Sequence, residues 1–325
     1  EDVDRHLTSR PVAARAGTPA YVAGRFLRRH VAGALVAAGV LLLLAVGVGL
    51  VAWQARIAAE ARSRAERRFE DVRRLARTFM FDVHDAIVNV PGTTAARALM
   101  VRTAVQYLDG LAAEATGDRG LQRELAEAYV KVGDAQGHPT SANVGDTEGA
   151  RASYERAVTI ADGLLRAAPD DIDVQRTLAM AHRRLADVAA WSGGLDEALG
   201  HMRRSAAIFT TIAARDAPDT TDRLQAGIAQ IKLGDLFGNP NFPNLARPAE
   251  ASRHYAAALS ALRQLAAGAP GDVPVRRYLG LTLERVGTMH EQERQWAEAA
   301  QAYGESFEIR KALAEAEPYH TDIQR

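Results

Sequence analysis

The longest uncharged apolar run is Val31 to Trp53, VAGALVAAGVLLLLAVGVGLVAW, 23 residues in all. A helix needs about 20 apolar residues to cross a hydrocarbon core, and a tryptophan suits the interface at its end. The run is longer than the roughly 7–15 residues of a signal-peptide core, and it follows a polar leader. The pattern predicts one transmembrane helix over residues 31–53. Upstream, Pro11, Gly17, Pro19 and Gly24 interrupt any long helix, so residues 1–30 read as a juxtamembrane linker. Downstream, Gln54 to Val90 has no helix breaker, and Phe69, Val72, Leu75, Phe79 and Val83 recur at three-to-four spacing. Pro91-Gly92 stops that helix, and another is expected from about Thr94 to Ala115. Together they predict a membrane-proximal helical hairpin over 54–118.

From residue 119 the pattern repeats. Pro169, Pro218, Pro270 and Pro318 close successive units, spaced 49, 52 and 48 residues apart. The first helix of each unit ends in a small-residue step: Gly133-Asp134, Ala186-Asp187, Gly234-Asp235 and Gly287-Thr288. The second helix carries small–large–small positions at i, i+4 and i+7. These are Ala150/Tyr154/Ala157, Ala198/Met202/Ser205, Ala251/Tyr255/Ala258 and Ala299/Tyr303/Ser306. Small residues let helices approach and the larger one fills the gap, as in a helical solenoid whose units bury their apolar faces on each other. A longer period is superimposed: Gly133 and Gly234, Asn143 and Asn244, and Tyr154 and Tyr255 are each 101 residues apart. The expected fold is therefore all-α, a single transmembrane helix followed over 119–325 by four long hairpins in two copies of a 101-residue unit.

Composition narrows the function. Forty basic residues balance forty acidic ones, which argues against a nucleic-acid partner. Aromatics make up only 6% in an alanine-rich chain, which favours close-packed helices over sheets. The chain has no cysteine, so disulfides, thiol catalysis and cysteine-bound zinc are excluded. Arginines count three before the span (Arg25, Arg28, Arg29) and five after it (Arg56, Arg62, Arg64, Arg67, Arg68), a slight lean towards a cytoplasmic C-terminal side. Ala45 and Gly49 form a small-xxx-small pair through which two spans could associate as a homodimer.

The helix-turn-helix unit, its small–aromatic–small positions and its closing proline resemble tetratricopeptide (TPR) repeats, although these units are longer than the usual 34 residues or so. The order of segments is similar to the C-terminal part of bacterial transmembrane serine/threonine kinases that carry such repeats. The resemblance rests on HLTSRPVAARAGTPAYVAGRFLRRH (His6–His30), FMFDVHDAIVNVPGTTAARALMVRTAVQYLDGLAAEATGD (Phe79–Asp118) and LQRELAEAYVKVGDAQG (Leu121–Gly137). It implies a cytoplasmic kinase domain upstream of Glu1, one span in the inner cell membrane, and a repeat array outside. The start at Glu1 without methionine fits a piece cut downstream of such a domain. This implied topology outweighs the two-arginine difference. Cofactors are expected to be none in this chain, with ATP and magnesium belonging to the kinase domain.

No catalytic motif is present. The Gly-rich loop, strand lysine, H-R-D and D-F-G of kinases do not occur, so phosphoryl transfer has nothing here to hold magnesium or orient a hydroxyl. His84-Asp85 lacks a second metal ligand one turn on, and His290-Glu291 is followed by Arg294 where a zincin would need histidine. Asp170-Asp171 follows Pro169 and suits a helix start. Two places could bind a protein or peptide partner. The long loops of units one and three should project from one side and offer His138, Asn143, Asn239, Phe242 and Asn244, or those residues only shape the turns. The other is the groove lined by the first helices.

Overall fold

The structure is a computed structural model that describes residues 23–24, 26–27, 31–77, 94–115 and 117–316. All regular structure among them is α-helical. The chain divides into two compact units, Glu1–Arg77 and Thr78–Arg325.

The first unit is dominated by α1, Val31–Arg77, a helix of 47 residues. Its stretch Gly39–Ile57, 19 residues with a mean hydropathy of 2.0, is long and apolar enough to cross a membrane. At 1.5 Å per residue it spans about 28 Å, close to the thickness of a hydrocarbon core. Leu41, Leu43 and Val48 are 66%, 73% and 70% exposed, so none of the described residues covers them. The helix passes Trp53 without a break, so the boundary expected there is a change of composition and not of backbone. The continuation to Val90, His84-Asp85, the Pro91-Gly92 stop and most of the 1–30 linker lie outside the described residues.

The second unit opens with α2 (Thr94–Glu114) and continues as four hairpins. These are α3 (Arg119–Gly137) with α4 (Thr147–Ala167), α5 (Ile172–Trp191) with α6 (Leu195–Ala213), α7 (Thr220–Gly238) with α8 (Pro248–Gly268), and α9 (Val273–Gln292) with α10 (Trp296–Ala316). Each helix packs on the next in chain order, and α3 also meets α5 as α7 meets α9. Val101, Leu108 and Leu111 of α2 share one buried cluster with Leu125, Tyr129 and Tyr154. So α2 shares a core with the first hairpin of the array.

Asp118, Asp171, Asp219 and Asp272 stand at the starts of α3, α5, α7 and α9, and each accepts a hydrogen bond from a backbone N–H in the first turn. The caps satisfy otherwise orphaned donors and set negative charge at the positive end of each helix. Pro169, Pro218 and Pro270 lie in the links just before those caps; Pro318 is outside the described residues.

The repeated small–large–small positions build the interface within each hairpin. Ala150, Tyr154, Ala157, Ala251, Tyr255 and Ala258 are all 0% exposed. The tyrosine rings lie where a side chain on the facing glycine would be. A Cβ on Gly133 would stand 2.5 Å from the Tyr154 ring, on Gly234 2.5 Å from Tyr255, and on Gly287 2.7 Å from Tyr303. In unit two the large residue is the slimmer Met202, and the corresponding position is Ala186. The hydroxyls of Tyr129, Tyr154 and Tyr255 donate to Asp109, Asp134 and Asp235, each at 2.7 Å. Arg184 and Arg285 reach back from the following hairpin to Asp134 and Asp235, each at 3.0 Å. One Asp–Tyr–Arg group thus joins both helices of a hairpin to the next hairpin.

Candidate functional site

The loops over residues 138–146 and 239–247 link α3 to α4 and α7 to α8. They share one internal framework. The Asn143 amide donates to the His138 and Ser141 carbonyls, both at 2.9 Å, and its Oδ1 accepts from Gly145 at 2.7 Å. Asn244 repeats this with the Asn239 carbonyl (2.8 Å), the Phe242 carbonyl (2.9 Å) and the Ala246 amide (2.8 Å). The residue held by the asparagine oxygen is left-handed in both, Gly145 at φ 84° and Ala246 at φ 55°. Asn239 is fully buried and donates to Asp235 at 2.6 Å. His138 is buried too, its Nε2 3.2 Å from Asp187 and its Nδ1 3.2 Å from Ser141 Oγ. Four of the five loop residues nominated by the sequence therefore have their polar atoms engaged inside the fold. The fifth, Phe242, lines a groove.

That groove encloses about 560 Å³. The first helices α5, α7 and α9 line it, α10 closes one side, and Thr140 and Phe242 enter from the two loops. Of the five loop residues suggested by the sequence, only Phe242 reaches this groove of the first helices. Phe242, Ile228, Ile231, Tyr278 and Leu281 give it an apolar surface. Phe242 is braced edge-on by Trp191, with ring centres 6.3 Å apart, and by the Arg285 guanidinium 5.3 Å from its centre.

Six cations surround this surface: Arg183, Arg184, Lys232, Arg277, Arg285 and Arg310. Four carboxylates answer them. Arg184 pairs with Asp134 at 2.8 Å, Lys232 with Asp187 at 3.3 Å, Arg285 with Asp235 at 3.0 Å, and Arg310 with Glu284. Burial pushes the Asp187 carboxyl up, but Lys232, the His138 hydrogen bond and Arg184 outweigh it and hold the group well below the usual carboxylate range. Arg183 is only 6% exposed and has no carboxylate in contact. It donates to the Gln225 amide oxygen at 2.8 Å and to the Met180 sulfur at 2.9 Å, and it lies 5.7 Å from the Phe209 ring centre. Burial pulls its pKa down to about 10, which leaves it charged at neutral pH.

Among the described residues no group of three His, Asp or Glu side chains could hold a metal. His290 Nδ1 lies 2.5 Å from the Gln295 side chain and Glu291 accepts from Tyr303 at 2.8 Å, so that pair secures the α9–α10 turn. Between α5 and α6, His182 and His201 bring their Nδ1 atoms to 3.0 Å. Burial first, then the fields of His201 and Arg204, push His182 down to about 4. Among the described residues of the groove, none form a nucleophile–base arrangement.

Sequence reading missed the groove cations, and the signal that could have found them was the recurrence of Arg184 at Arg285, 101 residues on. No family model matches the chain, and no curated protein matches it. Among solved structures, the crystal structure of BtubC (BKLC) from P. vanneervenii is similar at 14% identity over 67% of this chain and 92% of that one, with a TM-score of 0.39. A likeness at that level carries no argument about fold or function.

Proposed function

We propose that this chain is the non-catalytic sensor or scaffold region of a single-pass bacterial serine/threonine kinase, and that its groove takes a protein or peptide ligand. The observation that carries the binding role is the convergence of three first helices and both long loops on one groove with an apolar floor and a charged rim. An extended partner needs a long surface with anchors, as here. Stacked hairpins with the repeated small–aromatic–small interface make a TPR-like solenoid the natural description of the array. The apolar stretch of α1 is the span, with the array on the external side and the kinase domain, with its ATP and magnesium, on the cytoplasmic side. The kinase attachment rests on the sequence resemblance. Ligand binding would change the proximity of two kinase domains, with the Ala45/Gly49 face of the span as a contact between them.

The test is phosphorylation output of the full-length protein with and without Leu121–Arg325. Output that responds to deletion supports a sensing role. Output that is identical in both removes it and leaves a membrane-anchored adaptor that assembles other proteins.

A further inference from the structure

We propose that the occupant of the groove is an acidic peptide segment, held by Arg183 as a fixed positive charge in the groove wall. The proposal rests on the groove being the ligand site and names the chemistry of its ligand.

Arg183 is the anomaly. A guanidinium removed from water normally gains a carboxylate, because a buried charge without a counter-charge is costly. Here the contacts are an amide oxygen, a thioether and an aromatic ring, all neutral. Acids stand close by but are committed elsewhere: Asp134 to Arg184 and Tyr154, and Asp187 to Lys232 and His138. The architecture does not require arginine at this position. Its counterpart 101 residues on is Glu284, which pairs with Arg285 and Arg310. One copy of the unit therefore ends in a closed ion-pair cluster, while the other leaves a positive charge facing the groove. Stability alone explains the first and not the second; departures from local self-consistency of this kind gather at functional positions.

Around Arg183 the cations alternate with apolar side chains. Arg277 is exposed on α9 beside Tyr278, and Arg310 stands across from them on α10. This spacing suits a chain that presents carboxylates and apolar groups in turn. It does not suit a continuous run of phosphates, which would meet Asp235 in the same wall and for which a neutral chain offers no wider basic surface.

The test uses the full chain in lipid nanodiscs and three fluorescein-labelled peptides of about 12 residues, alternating leucine with glutamate, glutamine or lysine. Binding is read by anisotropy at about 50 mM and about 300 mM salt, with empty discs subtracted. The expected result is roughly tenfold tighter binding of the glutamate peptide than of the glutamine peptide at low salt, narrowing at high salt, with the lysine peptide weakest. Arg277→Gln and Arg183→Gln should erase most of the glutamate advantage and leave the glutamine peptide unchanged. Arg277 is exposed, so that variant reads the charge even if Arg183→Gln unfolds. Phe242→Ala should weaken both peptides. Equal binding of glutamate and glutamine peptides, both weakened by Phe242→Ala, overturns the acidic ligand and spares the groove. Binding indifferent to Phe242→Ala and Arg277→Gln, or no binding at all, overturns both. A labelled oligonucleotide that outcompetes the glutamate peptide at the same arginines also overturns the proposal.

Discussion

At the scale of single residues, the array depends on a few close approaches. Gly234 faces Tyr255 so closely that Gly234→Ala should cost about 1–3 kcal/mol, since a Cβ there would sit 2.5 Å from the ring. The molecule already contains the remedy, because Ala186 stands opposite Met202 in unit two. The double variant Gly234→Ala/Tyr255→Met should therefore be less destabilised than the sum of its single changes, a coupling that urea unfolding of all four proteins can measure. Additive losses would show that the glycine and the ring do not share one space. His182 gives a pH-dependent counterpart. It titrates at about 4 in the folded chain against 6.5 for the free group. Between those values the unfolded chain carries the extra proton, so stability is complete above about pH 6.5 and falls as pH drops towards 4. His201 and His254 are shifted in the same direction. The loss attributable to His182 between pH 7 and 4.5 should be about 2 kcal/mol. Unfolding midpoints of His182→Leu should depend less steeply on pH than those of the parent; an unchanged slope would place the titration elsewhere.

At the scale of elements, each long loop is a small structure fastened by one asparagine. Asn244→Ala removes three hydrogen bonds and should cost about 1–2 kcal/mol, with faster amide exchange over 239–247 and little change in α7 or α9. The left-handed residue beside it is glycine in one loop and alanine in the other, so Ala246→Gly should stabilise the chain by roughly 0.5–1 kcal/mol. A melting temperature that falls on that change would mean the alanine methyl makes a compensating contact. These elements also show what could be read in advance. Helix positions, the long and short turns and the 101-residue period follow from local chemistry: proline, glycine, aspartate caps and the spacing of small and large apolar residues. The roles of the loop asparagines did not follow, because a side chain that binds its own backbone looks in sequence like one offered to a partner. The Arg183 environment was likewise hidden, since what distinguishes it from Arg184 is which helix each faces.

At the scale of the molecule, one chain joins a helix with bare apolar side chains to an array that packs most of its own, leaving Leu99, Trp191, Trp296 and Phe307 exposed. Absence of cysteine makes the membrane side measurable. With Ala142→Cys on the exposed tip of the first long loop, a membrane-impermeant maleimide should label intact cells; labelling only after lysis would put the array in the cytoplasm. Pro91-Gly92 is a signal visible in the sequence, whereas the burial of α2 against α3 depends on contacts between helices. On this reading the groove is the working surface of the array. That role is tested most directly by phosphorylation output of the full-length protein carrying Phe242→Ala with Arg277→Gln, beside Arg263→Gln on α8 as a control away from the groove. The groove pair should change output as much as deleting the array does, while the control should behave as the parent. Output that follows the deletion but ignores the groove pair would contradict it.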